Sequence, residues 1–391
     1  ELNLKESFIL LFLTYFFLSL IGSIPYLIYD IYFGNQILSK NIYEKIIDAF
    51  FESSSAFTTF GFSLLNYKNL PEPFIFYRSL SQFIGGINII FILLTFIFSF
   101  KTSHLLTKVL GFEIKRRIKI SIILVLLIYF IAISIFSFLL VYFEKIRIID
   151  ALNIAFTTFS TGGLKSFEYS NLSSIGKAIV IFGMIFGATN ISIFIFEKFR
   201  KIAILELILL ILFIFILSNF LTFENFIDKI FHSASILTTT GHSYLNLSFS
   251  SFQFFIFSVF ALIGGSILST AGGIKIARIF FLIKGIKEII KKYIFKKEIA
   301  LKDYELIAFP IFFFFVFFTV ISALIFSYFG YSLEKSIFNS VSALSTVGIL
   351  FDFDINSLPI LKIWIAFLTI IGRIEIIPLI LLFFKVSNKQ D

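Results

Sequence analysis

Long apolar runs alternate with short mixed segments along this chain. A helix that spans a bilayer needs about 20 mostly apolar residues, and eight runs are long enough. They cover residues 7–32, 74–100, 118–143, 175–197, 202–223, 252–284, 305–330 and 359–385. Strands of a membrane barrel would alternate apolar and polar positions over about 10 residues, and these runs do not. The pattern therefore predicts an all-α polytopic membrane protein.

Each pair of predicted spans is separated by a short amphipathic stretch that ends in hydroxyl residues and a glycine. Aligning the four stretches on their glycines places Thr or Ser at the same two offsets each time. The shared positions are Thr58, Thr59 and Gly61; Ser160, Thr161 and Gly163; Thr238, Thr239 and Gly241; and Ser345, Thr346 and Gly348. Thirteen residues before the glycines stand Asp48, Asp150, Asp228 and Lys335. This self-similarity predicts four tandem repeats over residues 1–101, 102–200, 201–300 and 301–391.

The stretch before each glycine is about 10–14 residues long, which is too short to span a bilayer. Non-helical backbone at membrane depth is tolerated only where it is buried in protein or lies beside water. We therefore expect four helix–pore loop–helix repeats, with the loops arranged in pseudo-fourfold symmetry around one pore. Backbone carbonyls of such loops can replace the hydration shell of a monovalent cation. Glycine permits the backbone angles that turn those carbonyls to one side.

The composition and the distribution of charge agree with this class. The chain is 58% hydrophobic and 15% charged, and it has no cysteine for a disulfide or a thiolate metal site. Most of its 33 Lys and Arg residues lie between the repeats and near the ends, as in cytoplasmic loops. We expect cytoplasmic termini, loops that enter from outside and no nucleic-acid partner. The basic inner face has two candidate partners, anionic lipid and an acidic cytoplasmic protein.

A second column of glycines follows the first at a distance of 24 residues: Gly85, Gly187, Gly265 and Gly372. Glycines at one height favour close packing of inner helices. The next position is small in three repeats but is Arg373 in the fourth. A charged side chain inside a membrane is costly unless it meets water or a partner. Arg373 is therefore predicted to act as a barrier or latch in the pore, or alternatively to pair with Glu375.

The second helix of the third repeat contains an interruption. Residues 264–278 read Gly-Gly-Ser-Ile-Leu-Ser-Thr-Ala-Gly-Gly-Ile-Lys-Ile-Ala-Arg. Four glycines (Gly264, Gly265, Gly272 and Gly273) and three hydroxyls should break a helix here. We predict that this segment is a movable gate, with Lys275 near its end. Tight helix packing is the alternative explanation of the glycines.

These motifs resemble the Trk/Ktr/HKT superfamily of potassium transporters. The Thr-Thr-Phe-Gly61, Ser-Thr-Gly-Gly163, Thr-Thr-Thr-Gly241 and Ser-Thr-Val-Gly348 loops look like its four selectivity filters. Residues 264–278 resemble its intramembrane gating loop. Gly372-Arg-Ile-Glu375 resembles its last inner helix, whose Arg lies below the filter.

The resemblance covers nearly the whole chain and implies K⁺ uptake across a bacterial cytoplasmic membrane. It also implies a homodimer and a cytoplasmic nucleotide-binding regulatory ring of the RCK type, with no cofactor in this chain besides the transported K⁺. In this family a glycine in the first filter goes with potassium preference and a serine with sodium permeation. Gly61 matches the potassium form.

Several alternatives stay open at this level. A pore of the same class could admit Na⁺ or couple transport to H⁺ or Na⁺. An unrelated secondary transporter would normally show inverted repeats, whereas these four repeats run in the same direction. A membrane enzyme would need a catalytic constellation, and the sequence has neither paired His ligands nor a nucleophile with a base. The prediction is a potassium-conducting membrane protein with four pore loops around a central axis, and not an enzyme.

Overall fold

The computed structural model describes residues 4–33, 41–99, 118–245, 247–295 and 303–374. All regular secondary structure within these ranges is helical, which confirms the predicted all-α class. Five helices there are long and apolar enough to cross a membrane: Ile9–Asp30, Glu72–Phe91, Ile120–Glu144, Arg200–Ser218 and Ala308–Tyr328. The predicted repeat boundaries at 101/102 and 300/301, and the predicted partner Glu375, lie outside the described residues.

Four long elements lie at the periphery and are named outer helices 1 to 4. They are Leu4–Gly22 with its continuation Ile24–Phe33, Ile118–Glu144, Arg200–Ser218 and Asp303–Tyr328. The predicted span 7–32 is found as the span Ile9–Asp30, although its helix is interrupted at Ser23. Pro25 lacks a backbone N–H and crowds the carbonyl of the preceding turn. The Ser23 hydroxyl donates to the carbonyl of Leu20 at 2.6 Å, which completes the interruption.

Four shorter elements, short helices 1 to 4, end at the glycine loops. They are Ile42–Phe57, Ile148–Phe159, Phe226–Leu237 and Leu333–Leu344. Three of them have 12 residues, which corresponds to about 18 Å at 1.5 Å per residue. Since the hydrocarbon core of a bilayer is about 30 Å thick, these three helices are too short to cross it.

Four inner helices follow the loops: Glu72–Ser99, Ser174–Ala188, Ser251–Ile263 and Pro359–Arg373. Inner helix 2 does not continue to residue 197 as predicted. It stops at Ala188 and is followed by a single turn, Ser192–Ile195. Inner helix 3 is interrupted as predicted, but the irregular part covers 264–275, and residues 276–278 already belong to the helix Ile276–Phe295. The end of the predicted helix 359–385 lies beyond the described residues.

The helices pack in a cyclic order. Each short helix lies against the outer helix that precedes it in the chain. Inner helix 1 packs on short helix 2, inner helix 2 on short helix 3, inner helix 3 on short helix 4, and inner helix 4 on short helix 1. The last contact joins the two ends of the chain, so the packing closes on itself.

Polar and apolar residues are distributed as a bilayer requires. Large apolar side chains such as Phe130, Phe182 and Phe313 are well exposed on the periphery, where lipid replaces water. The Ser and Thr residues of the short helices and loops are buried at the centre. Because lipid offers no hydrogen bonds, the polar groups collect where protein can satisfy them.

Candidate functional site

The four short helices end in the same backbone geometry. Thr59, Thr161, Thr239 and Thr346 have φ between 51° and 56°, and Gly61, Gly163, Gly241 and Gly348 have φ between 73° and 83°. The amide before each glycine donates back into the helix: Phe60 to Ser55 (2.9 Å), Gly162 to Thr157 (2.8 Å), Thr240 to Ser235 (2.9 Å) and Val347 to Ser342 (2.8 Å). A hydrogen bond from an amide to the carbonyl five positions earlier closes a Schellman motif, in which glycine normally takes the left-handed position. A β-branched Thr is unfavourable there, so the surrounding structure must hold it.

The four glycines contact one another's loops in a closed cycle. A Cβ atom on Gly61 would overlap the carbonyl oxygen of Gly162, and one on Gly163 would overlap that of Thr240. Likewise, a Cβ on Gly241 would overlap the carbonyl of Val347, and one on Gly348 would overlap that of Phe60. Each glycine therefore faces the carbonyl of the residue before the next glycine. Any side chain at these positions would push the ring apart.

A cavity of about 430 Å³ opens on this ring and is lined by all four glycines. Its wall also carries Lys68, Lys165 and Glu168. Lys165 Nζ lies 2.9 Å and Lys68 Nζ 3.4 Å from the carboxylate of Glu168. The hydrogen bond from Lys165, more than any other contact, lowers the pKa of Glu168, although partial burial opposes it. The mouth of the cavity is thus a charged vestibule built from the first two loops.

The predicted hydroxyl residues of the loops are all fully buried. Thr58, Ser160 and Thr238 donate to the carbonyl four residues earlier in their own short helices, at 2.6–2.7 Å. Thr239 Oγ1 accepts from the amide of Gly272 at 2.7 Å, and Thr161 donates to Ser160. Within the described part of the chain, the hydroxyls of Thr59, Ser345 and Thr346 have no hydrogen-bond partner. Buried polar atoms without partners call for a ligand or a water.

The second glycine column lies behind the loops. A Cβ on Gly85, Gly187 or Gly372 would crowd the carbonyl of Phe57, Phe159 or Leu344, each of which lies four residues before its loop glycine. Gly265 differs, because its neighbours are Ala188 and Ala271. Inner helix 3 ends at Ile263, so Gly265 is not in a helix. The column is therefore a packing contact in three places and part of the irregular segment in the fourth.

The irregular segment 264–275 lies directly against the ring. Thr270 Oγ1 donates to the carbonyls of Phe159 and Gly187, both at 2.9 Å. A Cβ on Gly272 would overlap the carbonyl of Ser345, and its amide reaches Thr239. Gly264 and Gly273, with φ of 71° and 79°, lie side by side at the neck of the segment. Three of the four loops are therefore in contact with it.

Arg373 connects this segment to the remaining side of the ring. Its Nη1 donates to the carbonyl of Thr270 at 2.5 Å, and its Nη2 donates to that of Gly86 at 3.2 Å. The residue is 2% exposed. Lys275, also buried, donates to the carbonyl of Ala271 within the segment. The two basic side chains, Arg373 and Lys275, therefore both donate hydrogen bonds to backbone carbonyls of the irregular segment.

Two polar residues at this site, Gln82 and Glu206, were not singled out by the sequence patterns. Gln82 donates to the carbonyl of Gly162 at 2.6 Å and accepts from the amide of Leu164. Glu206 and Asn190 are joined by a 2.8 Å hydrogen bond behind the irregular segment. A carboxylate inside the apolar run 202–223 is the signal that would have identified Glu206, since such residues are rare in membrane helices. In the ranges described, no group of three or more His, Asp or Glu residues is arranged to hold a metal ion.

Comparison with known proteins assigns the chain to a family. The family described as TrkH, cation transport protein, matches residues 201–391. An uncharacterized cation transporter of Methanocaldococcus jannaschii is 31% identical over 98% of this chain and 83% of its own length. The Trk system potassium uptake protein TrkH of Vibrio parahaemolyticus is 25% identical, over 74% of this chain and 64% of that protein.

A solved structure has the same fold. The crystal structure of the potassium transporter TrkH from Vibrio parahaemolyticus superposes with a TM-score of 0.78 at 22% identity, over 98% of this chain and 86% of that chain. Fold similarity and sequence identity over nearly the whole chain agree. The chain belongs to the TrkH family of cation transport proteins, membrane subunits of the Trk/Ktr/HKT superfamily.

Proposed function

We propose that the protein takes up K⁺ across a cell membrane through a filter formed by the four glycine loops. The observation that carries this proposal is the closed cycle of glycine-to-carbonyl contacts around one cavity. Relatives described as potassium uptake proteins support K⁺ as the ion. Four parallel repeats in one chain would supply the pseudo-fourfold symmetry that other channels build from four subunits.

The loops have the chemistry that a dehydrated cation needs. Backbone carbonyls of the loops would replace the water around K⁺. The short helices end at the loops, so the negative ends of their dipoles face the ion. The unpartnered hydroxyls of Thr59 and Thr346 are available as further oxygen ligands. No charged side chain is required at the ion itself, which suits selection by size and dipole rather than by charge.

We assign the gate to the segment 264–275 together with Arg373. The segment contacts three loops, and Arg373 bridges it to Gly86 beside the first. In this arrangement the segment would block an ion path below the ring, and the Arg373 guanidinium would place a fixed positive charge beside that path. Opening would require the hydrogen bond between Arg373 and Thr270 to break.

Three further features belong to this proposal and need their own tests. They are cytoplasmic termini, a homodimer, and a nucleotide-binding regulatory ring on the cytoplasmic side. Entry of Na⁺, or coupling to H⁺ or Na⁺, is the alternative mode of transport on the same architecture.

The deciding experiment is rubidium flux into liposomes that contain the purified protein, with a K⁺ gradient as the only driving force. Uptake that is inhibited by K⁺ more strongly than by Na⁺ is expected, with empty liposomes as the control. Crystals grown in rubidium should show anomalous density between Gly61, Gly163, Gly241 and Gly348. The absence of both rubidium flux and anomalous density between the four glycines would reject the proposal. Flux that also needs a proton or sodium gradient would establish the coupled alternative.

A further inference from the structure

The break in inner helix 2 and the irregular segment of repeat 3 form one hydrogen-bonded unit. The amide of Ser266 donates to the carbonyl of Ala188 at 3.0 Å, and that of Thr270 donates to Gly187 at 3.1 Å. In the opposite direction, the amide of Ile191 donates to the carbonyl of Leu268 at 3.1 Å. The carbonyls freed where inner helix 2 ends are thus satisfied by the segment. Neither piece keeps its backbone hydrogen bonds if the other moves away.

Glu206, on outer helix 3, holds both pieces from behind. Its Oε2 accepts from Asn190 Nδ2 at 2.8 Å, and its Oε1 accepts from the amide of Ile267 at 3.0 Å. Asn190 in turn caps the following turn, because its Oδ1 accepts from the amide of Ser192 at 3.0 Å. Glu206 is 2% exposed and interacts electrostatically with Lys275. One buried carboxylate therefore bonds to Asn190 at the break and to Ile267 in the segment, and it interacts electrostatically with Lys275 at the end of the segment.

The segment is held in a strained conformation by these contacts. Leu268 has a φ of 54° and Lys275 a φ of 86°, in the left-handed region that non-glycine residues avoid. Such conformations persist only when the surrounding structure determines them. The carbonyl of Leu268 is the one that accepts from Ile191, so the strain lies at the junction itself.

We propose that Glu206 is a positioning residue of the gate, and that the gate consists of two segments, 188–192 and 264–275, which separate when it opens. This inference rests on the proposed function, because the segments form a gate only if the protein conducts ions. The hydrogen bonds that hold the two segments together are observed in the structure and do not depend on that function. The Glu206 carboxylate favours the closed arrangement because its two oxygens are satisfied only there. Loss of the carboxylate should populate the open arrangement.

The absence of cysteine makes the segment easy to monitor. Ser269, which is buried in the segment, is replaced by Cys as a single thiol reporter in the full chain in liposomes. In this background Glu206→Gln should raise the rate of maleimide labelling about tenfold, because a buried hydrogen-bonding group loses its partner. Rubidium flux should rise in parallel. Glu197→Gln is the matched control, since Glu197 is an exposed acid nearby, and it should change neither readout.

A swap of the two side chains tests the hydrogen bond itself. Asn190→Asp combined with Glu206→Gln exchanges the carboxylate and the amide, and an acceptor for the Ser192 amide is retained. Labelling and flux should return to within about twofold of the reporter background, a residual below 0.5 kcal/mol in equilibrium terms. Failure of the swap to lower the labelling rate, or an unchanged rate in Glu206→Gln alone, would overturn the role of Glu206.

A double-cysteine variant keeps the test decisive if Glu206→Gln does not fold. An Ala188→Cys and Ser266→Cys pair lies where the amide of residue 266 meets the carbonyl of residue 188, and oxidation should link the two segments. Disulfide formation can be measured as the loss of free thiols. It should abolish rubidium flux, and a reductant should restore the flux. A formed disulfide with unchanged flux would show that the segments need not separate. A parent protein without any flux would reject the proposed function, while the labelling rates would still decide the role of Glu206.

Discussion

Lys362 and Asp48 lie 314 positions apart in the chain, yet the Nζ atom of Lys362 is 2.6 Å from the Oδ1 atom of Asp48. Their side chains are 2% and 0% exposed. The pair joins inner helix 4 to short helix 1, which is the contact that closes the cycle of helices. Lys177 and Asp228 make the corresponding contact between inner helix 2 and short helix 3, at 3.0 Å. The two pairs hold opposite sides of the ring.

Removing Lys362 should destabilise the protein strongly. Lys362→Met removes the ammonium group from a buried ion pair, and breaking such a pair by removing one member typically costs about 3–5 kcal/mol. The unfolding free energy can be followed in detergent through Trp364, the one tryptophan of the chain. Lys335→Met is the control, because the side chains of its pair with Asp352 are 32% and 60% exposed, and such a pair should contribute less than about 1 kcal/mol. An equal loss of unfolding free energy in both variants would show that the buried Lys362 pair contributes no more to stability than the exposed pair.

A side chain at a loop glycine should reduce selectivity. Gly241→Ser places a Cβ against the carbonyl of Val347, so that carbonyl must move and the ring widens. We expect K⁺ over Na⁺ selectivity, measured by competition with rubidium uptake, to fall about tenfold or more, equivalent to about 1.4 kcal/mol.

Gly330→Ser separates this effect from backbone strain. Gly330 also has a positive φ, 93°, but nothing lies within 4 Å of a Cβ placed on it. The Gly330→Ser variant should lose some stability and keep the K⁺ over Na⁺ selectivity of the parent. Unchanged selectivity in Gly241→Ser, or an equal loss in Gly330→Ser, would contradict the role assigned to the ring.

Arg373→Ala should raise rubidium flux. The substitution removes the bonds to Thr270 and Gly86 and the fixed charge beside the ion path. Arg373→Lys keeps the charge but cannot bond two separate carbonyls with a planar fork, so its flux should lie between those of the parent and the Ala variant. Flux is compared at equal protein content in liposomes. A flux in Arg373→Ala at or below the parent level would reject the barrier.

The vestibule should contribute a pH-dependent term to stability. The pKa of Glu168 is lowered by the hydrogen bond from Lys165, so its ionised form is favoured in the folded protein. The contribution is therefore complete above the ordinary pKa of 4.5 and is lost as the pH falls through the lower folded value. The melting temperature of Glu168→Gln should lie below that of the parent at neutral pH, and the difference should shrink on acidification below 4.5. A difference that stays constant over that range would argue against this ion pair.

Local patterns were sufficient for much of the architecture. The glycine and hydroxyl offsets predicted four re-entrant loops, and the structure describes four short helices that end in one shared backbone geometry. The amphipathic run before each glycine and its short length are local properties, so they can be read without the fold. The interruption at Gly264 was also predictable, since a concentration of glycines and hydroxyls weakens a helix wherever it lies.

The membrane class, the repeated units and the positions where helices must stop were all predictable from local residue patterns. The tertiary structure alone decided that inner helix 2 breaks at Ala188, because the partners of its free carbonyls come from residues about 80 positions later. It likewise decided which carbonyls Arg373 holds, what Glu206 joins, and that Lys362 meets Asp48. Buried hydrogen bonds and ion pairs between distant segments depend on packing, and no periodicity in the chain encodes which two segments will meet.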